Sequence, residues 1–259
     1  MTDATLERAA NAHCREGVFQ LRRPDTEWLS TGWNGGRREA DCVYNISVPE
    51  GWERTDLEQY ADERLEWAGF ADCGPVLFTG ADVEDARGAR CGPVTVYATA
   101  GISNPAALPM DPPGGSLPNT TASEADASAT EQPTGTVNLL VYASRRLADG
   151  ALPNLLTVAA EAKAATLLAE TGFPGTTTDA VIVGHDPTGQ SVAFSGSGTA
   201  VGAATRACVR DAVRVSLRAH YEDSESGIPE TVEGAKYGVS TDVRSKLIRP
   251  RLETDSGRE

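Results

Sequence analysis

Lysine and histidine are both scarce in this 259-residue sequence. Lys163, Lys236 and Lys246 are its only lysines, and His13, His185 and His220 its only histidines. Three scattered histidines leave almost nothing from which to build a His-rich metal centre, and they support a Ser-His-Asp triad only weakly. The cysteines, Cys14, Cys42, Cys73, Cys91 and Cys208, are odd in number and include no C-x-x-C pair. That argues against a disulfide framework and a zinc cluster, and it suits small core residues in a reducing compartment. There is no P-loop, and Gly196-Ser197-Gly198 lacks the rest of a dinucleotide fingerprint. No apolar run reaches the roughly 18 residues that a membrane span needs. The N-terminus, MTDATLERAANAHCREG, is charged from residue 3 and has no apolar stretch of the signal-peptide kind. The expectation is a soluble cytoplasmic protein that binds no metal and no membrane.

What the chain has instead is acid. Its 37 aspartates and glutamates outnumber 23 lysines and arginines, for a formal charge of −14. Such a surface disfavours duplex nucleic acid, whose binding rests on neutralising phosphates. It suits a cytoplasm of very high salt, where self-repulsion is screened; an ordinary acidic enzyme is the plainer alternative. The length permits one large domain or two small ones, and either could bury a real core.

Along the chain, residues 2–14 read as a short peripheral helix. Strands are expected at Val18–Arg22, Trp28–Thr31, Cys42–Val48, Pro75–Thr79, Pro93–Ala100, Thr136–Ala143, Ala180–Val183 and Val192–Phe194. A helix from Thr55 to about Ala68 has Thr55 as its N-cap and Glu58 at the capping-box position. A last helix runs from Thr199 to about Tyr221, with Arg206, Arg210, Arg214 and Arg218 on what reads as a solvated face. Residues 105–134 are Pro-, Gly-, Ser- and acid-rich and read as a flexible acidic surface loop; residues 222–259 read as a disordered charged tail. The order strand, helix, strand, strand at 42–100 and again at 136–195 suggests an internal duplication. The expected fold is mixed α/β (α+β), a single domain over 15–221 of paired strands packed with helices.

The longest helical pattern, Asn154–Thr171, contains an anomaly. At about 100° per residue, Asn154, Thr157 and Glu161 share a stripe flanked by Val158, Ala164, Ala165 and Leu168. Lys163, Thr166 and Glu170 fall on the other side, where a Lys163–Glu170 pair would supply the outer charges. Glu161 is therefore expected to point inward, where burial would raise its pKa and fit it for chemistry. The plainer reading is a glutamate that only hydrogen-bonds a neighbouring loop. Several small-residue turns, Ser30 to Gly36, Thr99 to Asn104, Thr176 to Asp179 and Ser195 to Thr199, offer amides and hydroxyls where α/β proteins often place pockets. The residues alone lead to a hydrolase or binding protein for a large, neutral, amide-bearing ligand.

Those turns also carry a recognisable succession: W-L-S-T-G-W-N-G-G at 28–36, T-A-G-I-S-N at 99–104, G-T-V-N at 135–138, E-A-K at 161–163, T-T-T-D-A at 176–180 and G-S-G-T-A-V-G at 196–202. In this order they resemble the adenosylcobinamide amidohydrolase (CbiZ) family over roughly residues 15–220, in its acidic haloarchaeal form. Ala160 stands where the family commonly has Thr, and Gly175-Thr176-Thr177-Thr178-Asp179 keeps one glycine of a richer turn.

The resemblance implies hydrolysis of the amide joining aminopropanol to the corrin ring of adenosylcobinamide. Adenosylcobyric acid is the expected product, within corrinoid salvage for cobalamin biosynthesis. Cobalt would arrive inside the substrate, so no cofactor is expected. As a mechanism, Glu161 would act as general base, Asn138, Asn104 or backbone N–H groups would stabilise the oxyanion, and Asp179 would orient a donor or share acid–base duty. Ser30, Thr31, Asn34, Gly35, Gly36, Gly101, Asn104, Thr178, Ser197, Gly198 and Thr199 would line the substrate site. A Thr178 or Ser30 nucleophile would leave an acyl-enzyme. A corrinoid carrier without activity, or an amidase of different substrate, stays open beside this reading.

Overall fold

The fold is described from a computed structural model, covering residues 11–49, 51–52, 54–118, 135–222 and 227–250. Its organising element is one bent strand. β1 (Ala12–Arg15) turns back into β2 (Val18–Ser30), which pairs antiparallel with β3 (Gly36–Ser47). Midway along β2 the register slips between Arg22 and Thr26. Pro24 has no N–H to give the ladder, and Asp25 adopts a φ of 54°. The bulge bends the strand without ending it. The two short strands expected at 18–22 and 28–31 are thus one. Residues 12–14, expected to be helical, are strand; residues 2–10 lie outside the described residues.

α1 (Leu57–Trp67) carries the chain from β3 to β4 (Val76–Thr79), which lies parallel beside it. The helix starts two residues later than expected, because Asp56 occupies the N-cap, and neither it nor Thr55 caps with its side chain. Arg54 takes both oxygens of Asp56 instead. A hairpin follows, β5 (Arg87–Cys91) and β6 (Val94–Ala100), turning at Gly92 with φ 50°. Then come the two-residue β7 (Ala106–Ala107), β8 (Val137–Leu147), α2 (Ala151–Thr171), β9 (Val181–Val192) and α3 (Ala200–Glu222). β8 and β9 are parallel neighbours joined by α2, as β3 and β4 are by α1. The expected echo therefore exists as strand–helix–strand. Its second copy has no separate fourth strand, because 180–183 and 192–194 belong to one long strand and its end.

The principal sheet runs β4-β3-β2-β9-β8-β6-β5, with β1 beside β2. The bend folds it into two halves that face each other. Phe19, Leu21, Val43 and Leu77 on one half pack against Leu140 and Ile182 on the other, and the Phe19 and Tyr97 ring centroids lie 5.2 Å apart. Alternate residues point outward: Val18, Cys42, Tyr44 and Ile46 meet Tyr60, Ala61 and Leu65 of α1. On the opposite outside, Val94, Val96, Leu139, Val141 and Val183 meet Leu152, Leu155, Val209 and Val213 of α2 and α3. The result is a single mixed α/β unit in four layers, helix, half-sheet, half-sheet, helix pair.

The stretches read as loop and tail are not wholly apart from this unit. β7 pairs in parallel with β10 (Val239–Ser240), and Arg244 reaches the Pro112 carbonyl. Residues 119–134, 223–226 and 251–259 lie outside the described residues.

Candidate active site

A cavity of about 330 Å³ opens at one end of the layered pair of half-sheets. It is walled where strands end or begin: Thr31–Trp33 after β2, Val48–Pro49 and Trp52 after β3, Leu77–Gly80 at the end of β4, Thr136 before β8 and Thr178–Ala180 before β9. One wall is aromatic. Phe78 packs between Trp33 and Trp52, at centroid distances of 6.1 and 5.3 Å. The polar part of the lining contains Thr31, Thr136, Thr178 and Asp179.

The polar wall is built around the Thr176–Asp179 turn. Asp179 Oδ1 accepts from Val137 N at 2.8 Å and from Thr176 Oγ1 at 2.5 Å. Its Oδ2 accepts from Thr176 N at 3.1 Å and from Lys163 Nζ at 2.5 Å. Lys163 and Asp179 are each only 10% exposed, so α2 is pinned to the mouth of the sheet by a buried ion pair. Gly175 permits this geometry, since a Cβ there would come within 2.6 Å of Asp179 Oδ2. The Thr178 side chain is exposed to the cavity, and its hydroxyl is held from three sides. It donates to Gly135 O at 3.0 Å, lies 2.9 Å from Thr136 Oγ1 and accepts from Asn104 Nδ2 at 3.3 Å. Gly135 is a close approach as well; a Cβ there would sit 2.4 Å from Asn104 Oδ1.

Of the residues expected at the site, Thr31, Thr178 and Asp179 line the cavity and Asn104 stands directly behind it. Thr31 Oγ1 accepts from Val181 N at 2.9 Å, stitching β2 to β9. Glu161 is a correction. Its side chain is 56% exposed, on the outer face of α2, 3.8 Å from Arg206. The inner face holds Leu152, Leu155, Ala159, Ala162, Lys163 and Thr166. The expected phase of the helix was wrong, and so was the outward Lys163–Glu170 pair: Glu170 pairs with Arg214 at 2.6 Å. Without burial, the ground for Glu161 as a base is gone.

Asn138 is also unsuited to its expected role. It is buried, with Nδ2 donating to Asn45 Oδ1 and Phe78 O at 3.0 and 2.9 Å and Oδ1 accepting from Ala180 N. Both of its donors are spent in tying three strands together, so none remains for an oxyanion. Ser30 is buried and accepts from Gly32 N. Asn34, Gly35 and Gly36 form the exposed β2–β3 turn and do not line the cavity; Asn34 has a φ of 48°. Gly101 packs against His220 and Ala81. Ser197, Gly198 and Thr199 lie at the start of α3, where Thr199 Oγ1 caps Gly202 N, and Ser197 borders a separate groove between α2 and α3. His185 is buried within β9 and accepts from Leu147 N through Nδ1.

Sequence reasoning missed Lys163, Thr136 and the aromatic wall. Lys163, Thr136 and Trp33 stood inside recognised motifs, which was a usable signal; Trp52 and Phe78 had none.

A family model described as adenosylcobinamide amidohydrolase matches residues 2–225. A protein of that description from Halobacterium salinarum is 54% identical over 237 residues, 91% of this chain and 97% of the relative. Another from Methanosarcina mazei is 29% identical over 204 residues, 74% of this chain and 90% of the relative.

Proposed function

Because the chain belongs to the adenosylcobinamide amidohydrolase family, we propose that it hydrolyses the amide joining aminopropanol to the corrin ring of adenosylcobinamide. Adenosylcobyric acid would then be the product, made available for corrinoid salvage in cobalamin biosynthesis. Cobalt enters with the substrate and leaves in the product. The observation that carries the assignment of the site is the pairing of walls in one cavity. An apolar aromatic side suits a large conjugated ring, and a hydroxyl held by fixed partners lines the same cavity. The cavity is smaller than such a substrate, so the amide-bearing edge of the ring enters along the aromatic side and the rest stays at the mouth.

In this reading Thr178 Oγ1 attacks the amide carbonyl carbon, and the C–N bond breaks. For the transfer the Thr178 hydroxyl turns its proton from Gly135 O to the Thr136 oxygen, which hands its own proton to the departing nitrogen, so aminopropanol leaves as a neutral amine. Water then cleaves the threonyl ester, releases the carboxylic acid and returns a proton to Thr178. Lys163 and Asp179 act electrostatically. As a pair they bring no net charge to the floor, whereas an unpaired carboxylate there would oppose the developing oxyanion. Asn104 holds the turn from behind.

The acidic surface and the 54% identical relative from a salt-loving archaeon support work in concentrated salt. Five free thiols suit a reducing cytoplasm. Among the described residues, no helix is long and apolar enough to cross a membrane.

The test is mass spectrometry of adenosylcobinamide incubated with the protein in molar potassium chloride. Adenosylcobyric acid should appear, at rates lowered on the order of 100-fold or more by Thr178→Ala and restored in part by Thr178→Ser. Intact cobinamide recovered from folded protein would instead favour a carrier. Hydrolysis undiminished in Thr178→Ala would remove the threonyl ester from the mechanism.

A further inference from the structure

The polar wall of the cavity is linked by successive hydrogen bonds to a segment near the end of the chain. Val239 N donates to Pro105 O at 2.9 Å, and Thr241 N to Ala107 O at 3.0 Å, which is the β10–β7 pairing. One step inward, Ala106 N donates to Gly175 O at 3.0 Å, and Pro105 bridges Thr176. A further step inward, Thr177 N donates to Asn104 O at 3.2 Å, and Asn104 Nδ2 returns bonds to the Thr177 and Thr178 hydroxyls at 2.6 and 3.3 Å. Three remote pieces of chain therefore lie side by side, and the innermost is the turn that presents Thr178 and Asp179.

The outer piece is anchored in its own right. Ile228 and Val232 pack against the core under α2 and α3, and Arg244 donates twice to Pro112 O, at 2.9 and 2.5 Å from Nε and NH2. The middle piece pairs over only two residues, and β7 is half-buried, with Ala107 against the core and Asn104 buried behind it. An isolated pairing of that length is marginal in water, and a third member adds the bonds that hold it. The family match ends at residue 225, so this outer piece lies wholly beyond it.

We propose that residues 227–244 are a positioning strap for the active-site turn, acting through residues 104–107 rather than by touching substrate. The proposal rests on the reading of the cavity as the site of hydrolysis. The strap fixes where the Thr178 hydroxyl stands relative to the aromatic wall, which is held by other strands. Misplacement of a reacting group by about 1 Å costs on the order of 100-fold in rate. Loss of the strap should therefore lower kcat while leaving KM, set by the aromatic wall, nearly unchanged.

Three variants in molar potassium chloride test this against the full chain. Val239→Pro/Thr241→Pro removes the two outer N–H donors and keeps every other residue. A chain ending after Glu222 removes the strap entirely, and one ending after Lys246 keeps it. The double proline variant and the shorter chain should lose roughly 10- to 100-fold in kcat, with faster amide exchange at Ala106 and Thr177 and the main unfolding transition retained. The chain ending after Lys246 should match wild type. Wild-type kcat and unchanged exchange in the double proline variant would overturn the proposal. Loss of activity that only tracks loss of folded protein would overturn it too, since the segment would then be a general stabiliser. If the full chain hydrolyses no adenosylcobinamide, the functional reading fails, and the exchange measurement still decides whether the strap orders the turn.

Discussion

Replacing Lys163 by methionine tests the central claim about the site, that a buried ion pair holds the Asp179 turn. Methionine keeps most of the length and apolar volume of the lysine stem, so the change removes charge more than packing. Asp179, itself 10% exposed, would then keep a carboxylate with three of its four donors, Val137 N, Thr176 N and Thr176 Oγ1. Breaking a buried pair from one side typically costs about 3–5 kcal/mol, and the surviving donors place this case near the lower end, about 3 kcal/mol. For a chain of this size that is a fall in Tm of roughly 6–12 °C. Salt should not hide it, because screening acts on exposed charges and this pair is shut away from solvent. Urea unfolding in molar potassium chloride, followed by tryptophan fluorescence, measures the loss without changing ionic strength. Asp179→Asn should cost more, since it leaves a buried ammonium and turns an amide NH2 toward backbone donors. The double variant should cost less than the sum of the two. A Lys163→Met protein within about 1 kcal/mol of wild type, or single costs that simply add, would refute the reasoning.

Glu161→Gln should be close to silent: stability within about 0.5 kcal/mol of wild type and near-full turnover of adenosylcobinamide, because the side chain faces solvent beside Arg206. A large loss of kcat in normally folded protein would return Glu161 to the chemistry. Cys14 lies on an exposed strand, yet burial of its thiol, followed by the nearby Glu84 and Asp82, raises its pKa to about 11. A raised thiol pKa keeps the S–H form across neutral and mildly alkaline pH, so at pH 8 about one molecule in a thousand carries the thiolate. Iodoacetamide should thus label Cys14 roughly 100-fold more slowly in the native protein than in urea, as read by peptide mass mapping; equal rates would contradict the local environment described. Burial raises Cys208 further, to about 12, and it should resist longer still.

Much of the fold was legible because its strands are short apolar runs bounded by turn residues. Cys42–Val48, Pro75–Thr79, Pro93–Ala100 and Thr136–Ala143 each lie in or close to an observed strand. The failures have local causes. Arg23-Pro24-Asp25 has the composition of a loop, and only the neighbouring strand shows that the chain passes through a bulge and continues. Arg87–Cys91 is a strand without an apolar pattern, since it sits at the sheet edge and is held by pairing with β6. Residues 12–14 carry helix-forming neighbours, but β2 offers them a free edge, and pairing there overrides propensity.

The candidate site was legible in its turns and illegible in its charges. Thr31, Asn104, Thr178 and Asp179 came from recognising where hydroxyls and amides collect after or before strands. Glu161 came from the phase of α2, and that phase is hard to read because alanine covers both faces of the helix. Ala159 and Ala162 are buried while Glu161 beside them is exposed. Counting apolar residues cannot choose between such faces. Weighting them by the area they remove from water can, because Leu152, Leu155 and Leu167 each bury far more surface than an alanine, and all three lie on the true inner side. That weighting puts Lys163 inward. The composition points the same way: with three lysines among 23 basic residues, the exposed cations of the helix pair are arginines, as Arg206, Arg210 and Arg214 show. Lys163, in mid-helix, is then the odd cation out, and an inward lysine requires an inward acid. The Asp179 carboxylate, already gathered into its turn by Thr176 and the glycine before it, is the one acid among the described residues that meets it.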